Sequence, residues 1–180
     1  MEQLVNWTLE TIRADSPMMS WLEERRFDWA TAVHSALKHL IVGGVPLILV
    51  TDRDREWFAK YLITTLNQSG KKRPFVAVFN ANDFAPCVDC ADSGETQLVQ
   101  NMLSIAFNNR YIYWYIGRGG DARAQAPKKR RESFMWAMDE EVQDGFFLRS
   151  SDRLLDVKLM HLARLFDKTI DAVMFGEVNL

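Results

Sequence analysis

Cysteine is scarce in this sequence: the 180-residue chain holds two, and both fall in one Cys87-Val88-Asp89-Cys90 pair. A disulfide-stapled scaffold packs more cysteines into a shorter chain, so stability here must come from a buried core. A structural zinc site needs four ligands, and no second Cys-x-x-Cys completes one. The three histidines, His34, His39 and His161, fall on predicted helices far away in sequence. A thioredoxin-like pair opens a helix after a strand, whereas this one sits mid-loop after Pro86. No metal and no cofactor are expected.

Long apolar runs are also missing. The best candidate, Leu40 to Val50, is broken by Gly43-Gly44 and Pro46 and falls short of the roughly 20 residues that span a bilayer. The N-terminal Met1-Glu2-Gln3-Leu4-Val5-Asn6 lacks the basic head and apolar run of a secretory signal, so a cytoplasmic protein with no membrane partner is expected. Net charge is −2 with a pI near 5.9, which gives no overall pull toward nucleic acid. The basic runs Lys71-Lys72-Arg73 and Lys128-Lys129-Arg130-Arg131 precede predicted strands and read as solvated segments. Direct DNA binding is not expected.

What the sequence does have is regular alternation. Leu4, Val5, Leu9 and Ile12 predict a helix over 2–13. Ser16-Pro17 reads as an N-cap with proline in the first turn, opening a helix whose stripe runs Met18, Trp21, Leu22, Trp29, Val33, Ala36, Leu37 and Leu40 until Gly43-Gly44 ends it. Continuous apolar runs at 45–50, 75–79, 111–116, 134–138 and 146–148 read as strands covered on both faces. Helices fall between them: one carrying Trp57, Phe58, Tyr61, Leu62 and Leu66, one carrying Leu98, Met102, Ile105 and Ala106, a short one near 121–130, and a long last one over about 151–175. Strand–helix alternation of this kind predicts a doubly wound, mostly parallel five-stranded α/β sheet with helices on both faces. With no repeat and no linker, residues 1–180 read as one domain.

In such a fold, ligands bind beyond the carboxyl ends of the strands. A phosphate cradle needs glycines and open N–H groups there. The loop after the first strand, Thr51-Asp52-Arg53-Asp54-Arg55, has no glycine and places two carboxylates where a phosphate would sit. Gly117-Arg118-Gly119-Gly120 is more permissive but reads as a turn. No serine lies in a nucleophile elbow, and no histidine ends a strand. Asp139-Glu140-Glu141 reads as a solvated helix start. Catalysis has no support, and no catalytic residue is assigned.

The surfaces say more. On the last helix, Leu155, Leu159, Leu162, Leu165, Phe166, Ile170 and Val173 share one arc at about 100° per residue. Val157, Met160 and Phe175 point away from it, and Met174 lies beyond its edge. A helix with a second apolar face packs against another subunit or a partner. On the second helix Phe27, between Arg26 and Asp28, lies opposite the core stripe and suits a binding hot spot. Trp7 is off the stripe of the first helix. Self-association through Trp7, Val157 and Met160 is expected, with a partner surface nearby.

These residues carry a resemblance. Ser20-Trp21-Leu22-Glu23, Gly43-Gly44, Arg55-Glu56-Trp57-Phe58 with Tyr61 and Leu66-Asn67, Arg73-Pro74, Phe84, Pro86 and Ser133-Phe134-Met135-Trp136 with Glu140-Glu141 are its first part. Asp152, Leu154-Leu155-Asp156, Lys158-Leu159, Leu162, Leu165-Phe166, Val173 and Leu180 complete it. Over nearly its whole length the chain resembles the HobA family of bacterial regulators that bind the replication initiator DnaA; the segment from about 87 to 130 departs from it. The resemblance implies a sugar-isomerase-like sheet without isomerase activity, a homotetramer, and binding to the N-terminal domain of DnaA at the origin. The related DiaA group shares that job, and by position Met174 and Phe175 match the apolar pair it uses for this contact. Phe27 and Asp28 are added from helical phasing alone. The alternative is a phosphosugar-binding, isomerase-like protein, although the glycine- and serine-rich sugar-phosphate loop has no counterpart at Thr51 to Arg55.

Overall fold

The computed structural model describes residues 1–15, 17–84, 93–130 and 132–180. The expected cap at Ser16, the Cys87–Cys90 pair with Pro86, and Arg131 of the second basic run lie outside the described residues. Five strands, β1 (Leu47–Thr51), β2 (Val78–Asn80), β3 (Ile112–Arg118), β4 (Phe134–Met138) and β5 (Phe146–Leu148), form one all-parallel sheet in the order β2-β1-β3-β4-β5. Every residue of β1 and β4 is buried. That is why these strands read as unbroken apolar runs rather than as alternating ones.

Helices cover both faces. On the first face lie α1 (Glu2–Asp15), α2 (Arg26–Leu37), α3 (Glu56–Leu66) and α7 (Leu155–Met174), over Leu47, Leu49, Trp114, Ile116, Phe134, Trp136 and Phe146. On the second face α4 (Ala81–Phe84), α5 (Ser93–Ala106) and α6 (Gln125–Lys129) accompany a smaller cluster of Ile48, Val50, Tyr113, Tyr115 and Met135. The first cluster is aromatic at its centre. The Trp114 ring lies 4.8 Å from Phe166 and 5.2 Å from Trp136, and Trp29 lies 5.8 Å from both Trp136 and Phe146. Ring pairs at these separations add to their area burial.

Three local differences from the sequence expectation have identifiable causes. The helix expected to run from Met18 to Leu40 is broken: a 3₁₀ turn spans Pro17–Leu22, and α2 begins only at Arg26. The Arg26 guanidinium donates to the Glu23 carbonyl at 2.6 Å, and Arg25 reaches across to the Phe147 carbonyl at 2.7 Å and stacks over Phe146 at 4.2 Å. These bonds hold the chain in a turn at 23–25, and Met18 is left exposed.

The second strand starts three residues late because Asn67 occupies the backbone of Val76. Its Nδ2 donates to the Val76 carbonyl, and its Oδ1 accepts from the Val76 N–H, both at 2.9 Å. Phe75 is thereby left outside the sheet and 68% exposed.

Finally, Asp139-Glu140-Glu141 starts no helix. The chain turns at Asp139 (φ 61°) and Asp144 (φ 55°) and enters β5 directly. So short a link between parallel strands, which ordinarily need a dozen or more residues, suffices because Trp136 pairs with Phe146. The chain therefore has to return only from the level of Met138 to that of Trp136 before β5 begins.

Phe166, fully buried on α7, joins that helix to the sheet through Trp114 and Phe134. Phe166→Ala is expected to destabilise the protein by about 3–5 kcal/mol; urea unfolding measures it, and a loss below about 1 kcal/mol would show that the ring stack does not hold the layers together.

Candidate functional site

Strand order reverses between β1 and β3, and a crevice of about 320 Å³ opens beyond their carboxyl ends. In a doubly wound sheet this is where a ligand would enter. Here the walls carry Asp52, Asp54 and Asp121 beside Arg53, Arg118 and Arg123, so opposite charges satisfy one another. Buried Asp52 accepts from the Arg118 N–H at 2.8 Å and from Arg55 Nη1 at 3.1 Å. Burial pushes its carboxyl above the usual range, against the opposing pull of the Arg118 N–H and the Arg55 charge. Arg123 donates to the Thr51 carbonyl at 2.9 Å and to Glu56 at 3.0 Å.

Two glycines that might have cradled a phosphate are spent on packing instead. A Cβ at Gly117 would stand 2.8 Å from the Asp52 carboxyl carbon, and one at Gly119 would stand 2.5 Å from Glu140. Close backbone approach thus serves carboxylates of this chain. Lined by acids and internally neutralised, the crevice is poorly suited to an anion.

Several of the other sequence candidates are paired within the fold. Lys71 and Arg73 both bind Asp167, and Arg73 also donates to Asp171 at 2.6 Å and to the Leu66 carbonyl at 2.6 Å. Lys128 binds the Gly119 carbonyl and Glu140. Asp139 accepts from the Ser150 N–H at 2.8 Å and from its hydroxyl, and these bonds lower its pKa. His39 lies 2.8 Å from the Ser35 carbonyl. His161, its pKa lowered chiefly by burial, meets the Trp21 indole at 3.5 Å. Among the described residues no three His, Cys, Asp or Glu side chains are grouped to hold a metal ion, and no helix is long and apolar enough to cross a membrane.

The candidate interface residues fall at two ends of the first helical layer. Helix α2 runs antiparallel to the strands, so its first turn lies at their carboxyl edge. Phe27 is 57% exposed there, with the Arg26 guanidinium 4.5 Å from its ring centre, and Asp28 meets Arg25 at 3.4 Å. Beside them a groove of about 180 Å³ is lined by Trp21, Arg25, Phe147, Arg149, Asp152 and Lys158. Lys158 lies over the Trp21 ring at 4.8 Å and binds Asp152 at 2.5 Å. That donor, then the Leu154 N–H, holds the Asp152 carboxyl below its usual range. Val157 and Met160 flank this part of α7: Met160 is exposed, as its phasing predicts, and Val157 is half-buried.

Met174 and Phe175 lie about 24 Å farther along α7, at 1.5 Å per residue from Lys158. Phe175 is 57% exposed, while Met174 packs against the core cluster. Gln3 ties the start of α1 to this end through the Glu177 carbonyl and the Asn179 N–H. Trp7, one turn further along α1, is half-buried against the same core rather than standing clear of it.

The structure therefore brings Phe27 and Asp28 to one end, together with Val157 and Met160. It gathers Trp7, Met174 and Phe175 at the other, and it does not bring Phe27 next to Phe175 within a chain. The groove residue Arg25 was not singled out in the sequence, and Asp152, Lys158 and exposed Leu154 figured there only in the resemblance, with no site assigned to them. Their sequence signal, charged residues bordering a helix start, is common to most surfaces.

Over residues 1–180 the chain matches the family model described as HobA, a DNA replication regulator. The DNA replication regulator protein HobA of Helicobacter pylori is 27% identical over 188 residues, covering all of both chains. Among solved structures, HobA from Helicobacter pylori superposes with a TM-score of 0.77 at 25% identity, over 97% of each chain. A HobA–DnaA (domain I–II) complex from the same organism gives 0.76 at 25% identity, again over 97% of each chain.

The buried Asp52 generates a pH test. Because its folded-state pKa lies above the unfolded value near 3.8, the native state takes up this proton first as pH falls. Wild-type stability is expected to rise relative to Asp52→Asn as pH falls through the raised folded-state pKa and to level off below the unfolded value. Parallel stability curves for the two proteins, measured by urea unfolding, would contradict a strained carboxylate at this position.

Proposed function

Because this chain belongs to the HobA family of DNA replication regulators, we propose that it binds the N-terminal part of the initiator DnaA and gathers several copies of it at the origin. It acts as a non-enzymatic homotetrameric scaffold in the cytoplasm. The observation that carries this reading is the solved HobA–DnaA (domain I–II) complex, whose fold this chain shares over 97% of its length.

The surface chemistry is compatible with such a role. Phe27 offers an exposed aromatic ring whose position is restricted by the Arg26 guanidinium stacked on it, and Asp28 beside it supplies a charge. An aromatic anchor already ordered before binding loses little entropy on contact. Phe175, exposed at the other end of α7, is the second anchor, with Met174 supporting it from the core side. Trp7, Val157 and Met160 are assigned to contacts between copies of the chain.

Scaffolding of this kind needs no chemistry at the crevice. An oligomer that presents the same surface several times raises the effective concentration of bound initiators toward one another without any new contact between them. The acid-lined crevice disfavours the alternative of a sugar-phosphate ligand, for which the carboxylates of Asp52, Asp54 and Asp121 stand in the way.

Size-exclusion chromatography with light scattering, of the protein alone and with the DnaA N-terminal domain, tests the reading. A stable oligomer that co-elutes with the domain is expected, and a monomer that never does would overturn it. Phe27→Ala is expected to weaken binding about 30-fold, near 2 kcal/mol, and Phe175→Ala about tenfold. Helical circular dichroism should be unchanged, since both rings are largely solvent-exposed.

A further inference from the structure

The groove beside Phe27 holds more positive charge than it neutralises. Its walls bring three cations, Arg25, Arg149 and Lys158, against the one carboxylate of Asp152. Both oxygens of that carboxylate are engaged, one by the Leu154 N–H at 2.9 Å and the other by Lys158 at 2.5 Å. Lys158 is held by this pair and by the Trp21 ring. Arg25 is held by the Phe147 carbonyl, the Phe146 ring and Asp28. Arg149 is exposed, and among the described residues no hydrogen bond or ion pair engages its guanidinium.

The backbone that carries it is fixed. Arg149 follows β5 directly, where the Leu148 carbonyl accepts from the Asp139 N–H at 3.0 Å. On its other side the Ser150 N–H donates to Asp139 at 2.8 Å, and the Arg149 carbonyl accepts from the Asp152 N–H at 3.2 Å. An anchored turn thus brings one available guanidinium to the wall of the groove, on the carboxyl edge of the sheet that Phe27 shares.

We propose that Arg149 is the charge-selecting residue of this surface and takes a carboxylate of the initiator's N-terminal domain. This rests on the reading that the Phe27 end binds that domain, and it adds the chemistry the domain must present there. The size of the groove selects the kind of occupant: about 180 Å³ is below the roughly 300 Å³ at which small-molecule pockets begin, so it suits one side chain of a protein. Its charge selects the group. A guanidinium meets a carboxylate through two parallel bonds in one plane, whereas an arriving ammonium would face three cations. A run of phosphates is disfavoured by exposed Asp28 beside Arg25 and exposed Asp139 beside Ser150. A charge placed here acts on how fast the right partner arrives and which partners are refused, while the Phe27 ring is the anchor.

Association of the chain with the DnaA N-terminal domain, followed by surface plasmon resonance at low and high salt, is the test. Arg149→Ala is expected to weaken binding about tenfold and Arg149→Glu about 100-fold, chiefly through slower association. Arg149→Lys keeps the charge but loses the planar fork and is expected to fall between wild type and Arg149→Ala. Added salt is expected to slow wild-type association more steeply than that of Arg149→Ala. Asp152→Asn, which removes the one acid of the groove, is expected to tighten binding about threefold. Because the Arg149 side chain is exposed, its variants are expected to melt with the wild type. Arg149→Glu that binds as wild type does, while Phe27→Ala is weakened, overturns the proposal and leaves the reading of this end standing. Tighter binding by Arg149→Ala with weaker binding by Asp152→Asn overturns it by assigning the groove to a cation of the partner. Wild-type affinity in both Phe27→Ala and Arg149→Glu overturns the reading of the Phe27 end and the proposal with it.

Discussion

A parallel sheet has no face to leave in water. Its crossover helices must shelter both sides, and here the heavier side is closed by a cluster of rings. Trp114, Phe134 and Trp136 project from two adjacent strands and are met by Trp29 from α2, Phe58 from α3 and Phe166 from α7. Large rings in contact leave little freedom to slide, so the angle and depth of α2 and α7 on the sheet follow from how these rings fit. Everything presented outward by those helices, from Phe27 at one end to Phe175 at the other, inherits its position from that fit.

The carboxyl edge of the sheet is the customary place for chemistry, and here it is occupied by the chain itself. Gly117 and Gly119 permit the close approach that a ligand would need, yet Asp52 and Glu140 take the space. Arg55, Arg118 and Arg123 are engaged with acids or main-chain carbonyls around the same opening. Charges that satisfy one another within the fold have little left to offer an anion. In this member of a family of DNA replication regulators, the switch point of the sheet is thus a crevice held by the chain's own charges.

Those outer surfaces differ between the two layers. The layer of α1, α2 and α7 mixes apolar side chains with charges, among them the Lys158–Asp152 pair and the contacts of Arg164 and Lys168 with Asp15. The other layer is uneven: α5 exposes Leu98, Met102 and Ile105, while α6 carries Lys128 and Lys129. A mixed surface suits a partner that must be selected by charge as well as shape.

Much of this was legible in the sequence because hydrophobic period reports local geometry. The continuous runs at 134–138 and 146–148 became β4 and β5 at those residues, and the arc from Leu155 to Ile170 is the buried face of α7. The acids read in the loop from Thr51 to Arg55, Asp52 and Asp54, do line the crevice beyond the strands. Period, however, tells which side chains share a face and not which face the sheet will meet. The regular stripe Leu98, Met102, Ile105 faces outward, while Leu103 takes the core position against Ile48, Tyr113 and their neighbours. Nor does local pattern register bonds that bring distant segments together. Arg25 reaching Phe147 breaks the second helix, Asn67 holding Val76 delays β2, and the length of α7 separates Phe27 from Phe175. Residue identity determined what could be buried; only the packed chain, by bringing together groups far apart in sequence, decided which of it was.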